Sequence, residues 1–445
     1  MTEATKSGKP SLFVRDPRAK RRAAAEKRFR AYGAAAIVAG LFFLVVLLAT
    51  IVWNGIPAFT QTFITVNVDL NEDKLDKSGA RDLAVMKKVS TFGYAPLIDA
   101  GLAKMLEDNG IENPFDKSKK LRAMISASAP AQVRDRVLAN PDLVGTTEGF
   151  RLLASSRVDG YLKGRVSRDS IARDKNIAPE HLDLIDALRD AGAVRTSFNR
   201  DFIFGADASE SRPESAGIGV SILGSLYMML VVLGLSLPIG VAAAIYLAEF
   251  AARTRFTDLV EVNISNLAAV PSIVFGILGL SIYIQVMHLP SSAPLVGGLV
   301  LTLMTLPRII IPARAALTAV PPSIREAALG VGASKMQAVM HHVLPLAMPG
   351  ILTGVIIGMA QALGETAPLL LIGMVGFIAT NYPESILDGF LSPNSAMPAQ
   401  IYEWSKRADP AYYERAWGGI ILLLIFLMAM NILAVVLRRR FERRW

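Results

Sequence analysis

Long apolar runs divide this chain of 445 residues, and six of them have the length of a membrane-spanning helix. A helix needs about 20 apolar residues to cross a hydrocarbon core of about 30 Å. The six predicted spans are residues 34–52, 218–247, 267–287, 293–317, 347–372 and 418–437. A cleaved signal peptide is the alternative for the first run, but the long polar stretch before it favours a retained anchor. We therefore expect an α-helical polytopic membrane protein with about six transmembrane helices.

The segment between the first two runs, residues 54–215, is charged and well supplied with Leu and Ala. Residues 63–70 alternate between apolar and polar positions, which is typical of a half-buried strand, and residues 197–204 are a second strand candidate. Helices are predicted at residues 97–109, 131–139 and 179–191. These elements predict an inserted α+β domain whose first and last strands pair.

Positive charge is concentrated at the two ends of the chain. The net charge is +9, yet residues 1–33 contain ten Lys/Arg against three Asp/Glu, and residues 438–444 contain five against one. Basic residues beside apolar runs mark cytoplasmic segments, so we expect a multi-pass membrane protein with both termini in the cytoplasm. Contact with anionic lipid headgroups is a second interpretation of these clusters.

An even number of spans then places the large insertion in the periplasm. The predicted divisions are a basic cytoplasmic tail at 1–33, a first transmembrane helix at 34–53, a periplasmic domain at 54–215, a five-helix transmembrane domain at 216–437 and a second basic tail at 438–445. A cytoplasmic loop at 318–346 interrupts the five-helix domain.

Composition excludes several kinds of chemistry. The chain has no cysteine, which excludes disulfides, thiolate metal sites and cysteine nucleophiles, and its four histidines form no His-Glu-x-x-His motif. Residues 330–335 resemble only a fragment of a Walker A loop, which requires G-x-x-x-x-G-K-[ST] after a buried strand. We expect no catalytic residue, no metal site, no cofactor bound by this chain and no ATP hydrolysis of its own.

A polar segment separates the fourth and fifth apolar runs. The pairs Ser323–Glu326 and Ser334–Gln337 both have the spacing of a helix capping box, and a Gly-Val-Gly sequence lies between them. This pattern predicts a short helix, a glycine turn and a second helix on the cytoplasmic side. A plain connecting loop and a DNA-binding helix-turn-helix are the alternatives, although the flanking membrane runs leave the latter no room to reach a groove.

The same segment resembles the EAA motif of ABC importer permeases, E-A-A-x(3)-G-x(9)-I-x-L-P, with His342 at the isoleucine position. The resemblance implies that this loop docks on an ATP-binding subunit. The residues that would carry this coupling are Glu326, Ala327, Ala328, Gly330, Gly332, Leu344 and Pro345.

Residues 362–370, ALGETAPLL, are similar to the G-E-T-A-P-L-L segment of phosphate permeases of the PstA type. Gln361 stands where many members have an arginine, and the 54–215 insertion resembles the extra N-terminal domain of one subgroup. The resemblance implies a phosphate importer with four partners: a second homologous permease, two ATP-binding subunits that bind ATP and Mg²⁺, and a periplasmic phosphate-binding protein.

Ionisable residues within apolar runs are candidates for the translocation pathway, because their burial in a membrane is costly. We expect Arg308, Gln361, Glu365 and Thr366 to line a hydrated cleft, with Asn263 and Asn266 as further candidates that could instead cap a helix.

By residue count Arg308 lies nearer the inner face and Glu365 nearer the outer face, which suggests separate partners on another subunit. An interhelical pair between these two residues is the alternative. Arg314 is expected to extend toward the cytoplasm.

Two other functional classes share some of these features. An ion-driven secondary transporter also needs intramembrane charge, but such transporters often contain inverted repeats and we detect none. A membrane-anchored sensor would need an output domain, for which neither tail is long enough. ATP-dependent uptake would distinguish the importer from both.

Overall fold

The computed structural model describes residues 17–76, 79, 81–174, 176–374 and 382–441. The chain divides into two compact units, Met1–Trp53 and Asn54–Trp445. In the first unit the described residues belong to one long helix, α1 (Pro17–Gly55), which contains the whole of the first predicted span. Part of the predicted basic tail is therefore helical, and an exposed Glu26–Arg30 ion pair of 2.7 Å links two of its turns.

The second unit begins with a three-stranded antiparallel sheet in the order β2-β1-β3. Its strands are β1 (Thr60–Asp69), β2 (Thr147–Leu153) and β3 (Val194–Phe198). The prediction of a strand at 63–70 is confirmed, and so is its pairing with the last strand. The sequence analysis missed β2.

The strand candidate at 197–204 is wrong after Phe198. Asn199 ends the strand, because its side-chain Oδ1 accepts a hydrogen bond from the backbone N–H of Phe202 at 3.0 Å and caps a short helix, Arg200–Phe204.

Helices cover one face of this sheet. The predictions at 97–109, 131–139 and 179–191 are confirmed as α4, α5 and α8. The helices of this region are α2 (Glu72–Leu75), α3 (Leu83–Met86), α4 (Thr91–Asp108), α5 (Ala129–Ala139), α6 (Ser156–Leu162), α7 (Arg168–Ile171), α8 (Pro179–Asp190) and α9 (Arg200–Phe204). Short 3₁₀ turns are Ile56–Phe59, Ser118–Met124, Pro141–Leu143 and Pro213–Ser215.

The core of this region follows the alternation of β1. Ile64, Val66 and Val68 are fully buried and pack against apolar residues of α4, α5 and α8, while the neighbouring Thr65 and Asn67 are exposed. Burial on one face fixes the register of the strand, since a slip of one residue would expose all three side chains.

Five helices within the described residues are long and apolar enough to cross a bilayer, or six if one bent pair is a single span. One of the five is α1, and the other four belong to the membrane part that follows the inserted region. The helices are α10 (Gly219–Ile245), α11 (Arg255–Ala268), α12 (Ser272–Leu278), α13 (Pro294–Thr318), α14 (Pro322–Gly330), α15 (Lys335–Ala338), α16 (Leu344–Gly364), α17 (Ala367–Leu371), α18 (Asp388–Leu391), α19 (Met397–Lys406) and α20 (Pro410–Phe441). Helices α10, α12 and α15 continue into π-helical turns at Tyr246–Phe250, Gly279–Val286 and Val339–Val343.

Two predicted spans are interrupted, and proline is the physical reason for each break. The run at 267–287 is bent by 102° between α11 and α12, because Pro271 has no N–H to donate to the carbonyl of Leu267. The run at 347–372 ends as a helix at Gly364, whose carbonyl would need the missing N–H of Pro368. Glu365 has an extended backbone at this second break.

Close packing of α10, α13 and α16 forms the core of the membrane part. Gly298 of α13 lies against α10, where an added Cβ would stand 2.5 Å from the Cβ of Val231. Gly276 of α12 is as tightly placed, at 2.7 Å from the Cα of Pro368. At both positions the missing side chain of glycine lets two helices approach closely.

Buried ion pairs join the inserted region to the amino-terminal turns of α20. Lys163 Nζ lies 2.9 Å from Glu414 Oε1, and Arg165 pairs with the same carboxylate, whose side chain is 2% exposed. Arg415 donates to the carbonyl of Glu214 at 2.9 Å. Burial raises the pKa of the Glu214 carboxyl, which accepts a hydrogen bond from the Ser126 hydroxyl.

Candidate coupling segment and translocation site

The cytoplasmic segment predicted from its capping boxes forms two short helices joined by a glycine turn. The second box is confirmed: Ser334 Oγ accepts from the Gln337 N–H at 3.3 Å, and Gln337 Oε1 accepts from the Ser334 N–H at 2.8 Å. Gly332 has φ +89°, a left-handed conformation that glycine adopts without steric cost. We call residues 321–343 the coupling segment.

The first box, Ser323–Glu326, is wrong. Helix α14 begins at Pro322 after Pro321 as its N-cap, and no side chain caps it. Ser323 therefore already lies inside the helix. Proline at the first helical position has no N–H to satisfy, so this helix start needs one hydrogen bond fewer than usual.

The predicted coupling residues divide between surface and interior. Glu326, Ala327, Gly330 and Gly332 are exposed. Ala328 is buried, and Leu344 and Pro345 are half-buried at the start of α16.

The coupling segment also exposes four large apolar side chains, which the sequence analysis missed: Leu329, Val331, Met336 and Met340. Val331 is 86% exposed. Apolar residues in an otherwise polar loop were the signal that could have identified this surface.

One end of the coupling segment is fastened to the membrane helices. Arg325 Nη2 lies 2.6 Å from Glu249 Oε1, and the same guanidinium donates to the carbonyls of Leu317 and Val320. Neither Arg325 nor Glu249 was selected from the sequence. The available signal was an arginine next to the EAA sequence and a carboxylate at the end of an apolar run.

Arg308 and Glu365 lie together in the membrane part, which agrees with the interhelical pair given as the alternative; contacts of either residue with another subunit stay a prediction. Arg308 Nη1 is 4.0 Å from Glu365 Oε1, with the two side chains 21% and 20% exposed. The break after Gly364 turns Glu365 toward the middle of α13 although residue counting placed it at another depth. Arg308 Nη1 is buried and has no hydrogen-bond partner among the described residues.

Two predicted pathway residues flank Glu365 in the chain. Gln361 lies exposed on the last turn of α16, and Thr366 is half-buried in the break itself. The amide of Gln361 and the hydroxyl of Thr366 are therefore close to Glu365 in the chain. Three of the predicted pathway residues belong to the same segment, the end of α16 and the break that follows it.

Asn263 and Asn266 lie on a different element, α11, where both are exposed. Asn263 Nδ2 donates to the Leu259 carbonyl of its own helix at 2.7 Å. The alternative that they cap the helix start is wrong, because Thr254 is the N-cap and accepts from the Thr257 N–H.

Arg314 pairs across helices. Its Nη1 lies 2.6 Å from Glu261 Oε2, which links α13 to α11. The pair borders a cavity of about 320 Å³ whose wall includes Leu247, Ser265 and Thr318.

Metal coordination is not indicated in the part of the chain that the structure describes. No group of three or more His, Cys, Asp or Glu residues there is arranged to hold a metal ion.

Comparison with known families separates the chain into two parts. Residues 16–172 match a domain of unknown function, DUF3333, which covers α1, β1, β2 and most of the helices around the sheet. Residues 220–445 match the model of the binding-protein-dependent transport system inner membrane component. The chain belongs to this family of transport components. The match begins one residue into α10, close to the boundary at 216 predicted from composition.

Relatives of this transport component are bacterial permeases. It is 31% identical over 231 residues to the phosphate transport system permease protein PstA 1 of Mycobacterium tuberculosis (strain H37Rv), which covers 52% of this chain and 72% of that protein. It is 31% identical over 221 residues to PstA of Haemophilus influenzae, covering 49% and 74%. With the probable ABC transporter permease protein YqgI of Bacillus subtilis it shares 28% over 241 residues, covering 52% and 81%.

Among solved structures, a chain of the inward-facing MetNI methionine ABC transporter matches at 16% identity with a TM-score of 0.39, covering 51% of this chain and 95% of that one.

Proposed function

We propose that this chain is a permease subunit of an ATP-driven phosphate importer and forms half of its translocation pathway. Membership of the binding-protein-dependent transport family supports the importer class. The names of the relatives from M. tuberculosis and H. influenzae support phosphate as the substrate. The observation that carries the proposal is a doubly helical loop held between α13 and α16, with Glu326 and Ala327 of the EAA sequence exposed on its first helix.

In this proposal the protein crosses the bacterial inner membrane six times, with α11 and α12 counted as one bent span. Both termini lie in the cytoplasm, as the basic ends at 1–33 and 438–445 suggest. The α+β region at 54–215 then lies in the periplasm as a domain of its own. The five-helix domain at 216–437 forms the pathway, and residues 318–346 extend toward the cytoplasm.

The coupling segment docks on an ATP-binding subunit, which binds ATP and Mg²⁺, so this chain needs no cofactor of its own. Glu326, Ala327, Gly330 and Gly332 are available for such a contact because they are exposed. The exposed Leu329, Val331, Met336 and Met340 supply apolar area, which is the main favourable contribution at protein interfaces. Leu344 and Pro345 connect the segment to α16.

The full importer contains a second homologous permease, two ATP-binding subunits and a periplasmic phosphate-binding protein. ATP binding brings the two ATP-binding subunits together, and the coupling segments transmit that movement to the membrane helices. Substrate delivered from the periplasmic side then reaches the cytoplasm by alternating access.

Phosphate passes the break between α16 and α17 in this proposal. Within the described part of the chain Arg308 Nη1 has no hydrogen-bond partner, and a phosphate oxygen is an acceptor that suits a guanidinium in charge and geometry. The carboxylate of Glu365 repels an anion but can accept a hydrogen bond from a protonated phosphate. Gln361 and Thr366 add neutral groups, and Asn263 and Asn266 are exposed candidates on α11.

Uptake by the reconstituted importer tests the proposal. Proteoliposomes containing this chain, the second permease, the ATP-binding subunits and the phosphate-binding protein should import radiolabelled phosphate only when ATP is supplied. Glu326→Lys should abolish uptake because it reverses a charge on the docking surface, while membrane insertion stays intact. Arg136→Gln is the control, since this exposed residue lies in the inserted region. Normal uptake by the Glu326→Lys variant would refute the role given to the loop.

A further inference from the structure

Arg325, immediately before the EAA sequence, holds the ends of two membrane helices. Its Nε lies 3.1 Å from each carboxylate oxygen of Glu249, and its Nη2 lies 2.6 Å from Oε1. Glu249 belongs to the π-helical turn Tyr246–Phe250 that ends α10. The same guanidinium donates from Nη1 to the Val320 carbonyl at 2.7 Å and from Nη2 to the Leu317 carbonyl at 2.8 Å.

Those two carbonyls lie at the carboxyl end of α13, where the last carbonyls of a helix lack partners within it. A cation is also favoured there by the helix dipole. Arg325 therefore caps α13 while it pairs with α10, and it does both from the first helix of the coupling segment.

The pair is shielded from water and rigid in geometry. The Glu249 side chain is 6% exposed and that of Arg325 is 23% exposed. A planar guanidinium that binds several acceptors at once leaves little freedom of orientation, whereas a lysine ammonium would act as a single point charge. Removing one partner of such a pair leaves the other charge unpaired and poorly hydrated.

A second contact joins the coupling segment to the end of α10. The ammonium of Lys335, on the second helix of the coupling segment, lies 5.2 Å from the ring centroid of Phe250, the neighbour of Glu249. A cation over an aromatic face is attracted to it. The end of α10 is therefore held from both helices of the coupling segment.

We propose that the Arg325–Glu249 pair is the mechanical joint through which α10 and α13 follow the coupling segment, so that its loss separates ATP hydrolysis from import. This inference rests on the proposed importer function. Both residues are positioning residues, because they act through the helices that they join. Arg308 and Glu365 remain the candidate substrate contacts.

The number of phosphate ions imported per ATP hydrolysed measures this coupling. Glu249→Gln keeps the side-chain size and Arg325→Lys keeps the charge, so each variant should assemble with the ATP-binding subunits and retain hydrolysis. The ratio should fall by about fivefold or more in both variants, because allosteric coupling typically changes an equilibrium by a factor of about 5–150. Arg136→Gln, which breaks an exposed ion pair with Glu148 in the inserted region, should keep the wild-type ratio.

Wild-type ratios in both joint variants would overturn this inference alone. A wild-type complex that binds no ATP-binding subunit or imports no phosphate would overturn the proposed function, and this inference with it.

A distance measurement tests the joint directly. The chain has no cysteine, so Tyr246→Cys and Ser323→Cys give a pair of spin-label sites, one on each side of the joint and both exposed. In the assembled importer, the distance distribution between the labels should not change when ATP binds. With Arg325→Lys or Glu249→Gln added, ATP should shift and broaden it. An identical response with and without the joint variants would contradict the proposal.

Discussion

At the residue scale, the Arg308–Glu365 pair combines two opposite charges with an incomplete contact. The distance of 4.0 Å between Nη1 and Oε1 is too long for a hydrogen bond, and Arg308 Nη1 has no other partner among the described residues. A buried donor without a partner is costly, so a ligand oxygen that fills this gap would bind favourably. The pair therefore offers both a donor and an acceptor to an oxyanion.

Glu365→Gln should reduce the preference for phosphate over sulfate. Protonated phosphate can donate a hydrogen bond to the Glu365 carboxylate, but fully ionised sulfate has no proton to donate. A hydrogen bond to a charged group contributes about 1.5–3 kcal/mol, so discrimination should fall by about tenfold or more. Uptake of radiolabelled phosphate and sulfate in proteoliposomes measures the ratio. Glu261→Gln is the control, because Glu261 pairs with Arg314 instead; unchanged selectivity in Glu365→Gln would discard the idea.

At the element scale, the coupling segment depends on one backbone conformation. The chain turns between α14 and α15 at Gly332, with φ +89°, while Gly330 is still helical. An added Cβ would meet nothing within 4 Å at either position. The two glycines thus differ in backbone conformation and not in available space.

Gly332→Ala should destabilise this turn by about 1–2 kcal/mol, because an L-residue is strained in the left-handed region. Hydrogen–deuterium exchange of the amides in 331–338 should become about fivefold faster or more. Gly330→Ala is the matched control and should not accelerate exchange, since alanine favours a helix over glycine. Equal exchange in both variants would mean that the turn does not require the left-handed conformation.

At the scale of the whole molecule, buried charges hold the inserted region against the start of α20. Lys163 and Arg165 both pair with Glu414, and Arg157 bridges Asp174 and Asp409. These pairs connect residues about 250 positions apart in the chain. A region fixed in this way should move together with α20.

Glu414→Gln should loosen this attachment. Breaking a buried ion pair by removing one partner typically costs about 3–5 kcal/mol. Lys163 and Arg165 keep Asp159 as a second counter-charge, so we expect the lower end of that range. Limited proteolysis should cleave the 205–217 connection faster, and the thermal midpoint should fall. Glu148→Gln breaks an exposed pair with Arg136, which should cost about 1 kcal/mol or less. Equal protease resistance in the two variants would contradict this account.

Local sequence patterns were enough to predict the apolar runs of membrane length, the separate inserted region and the coupling segment. Each is a local property: hydropathy over about 20 residues, alternation along β1, or the spacing of Ser334 and Gln337. The residues of the family motif were also readable from the chain, since they lie in continuous stretches. Local patterns did not predict strand β2, and they assigned residues 200–204 to a strand instead of a helix. Sheet partners and the Asn199 cap depend on neighbours in space.

The pairing of the charges could not be predicted from the sequence, because it depends on the tertiary structure. Arg308 meets Glu365 because proline-related breaks redirect the chain after α16, and residue counting along straight helices cannot reproduce that. Arg325 meets Glu249 across 76 residues because α10 packs on α13, which leads into the coupling segment, and Arg314 meets Glu261 because α11 packs on α13. A charge in a poorly hydrated interior must find a counter-charge, but its partner is selected by three-dimensional packing, about which the local pattern carries no information.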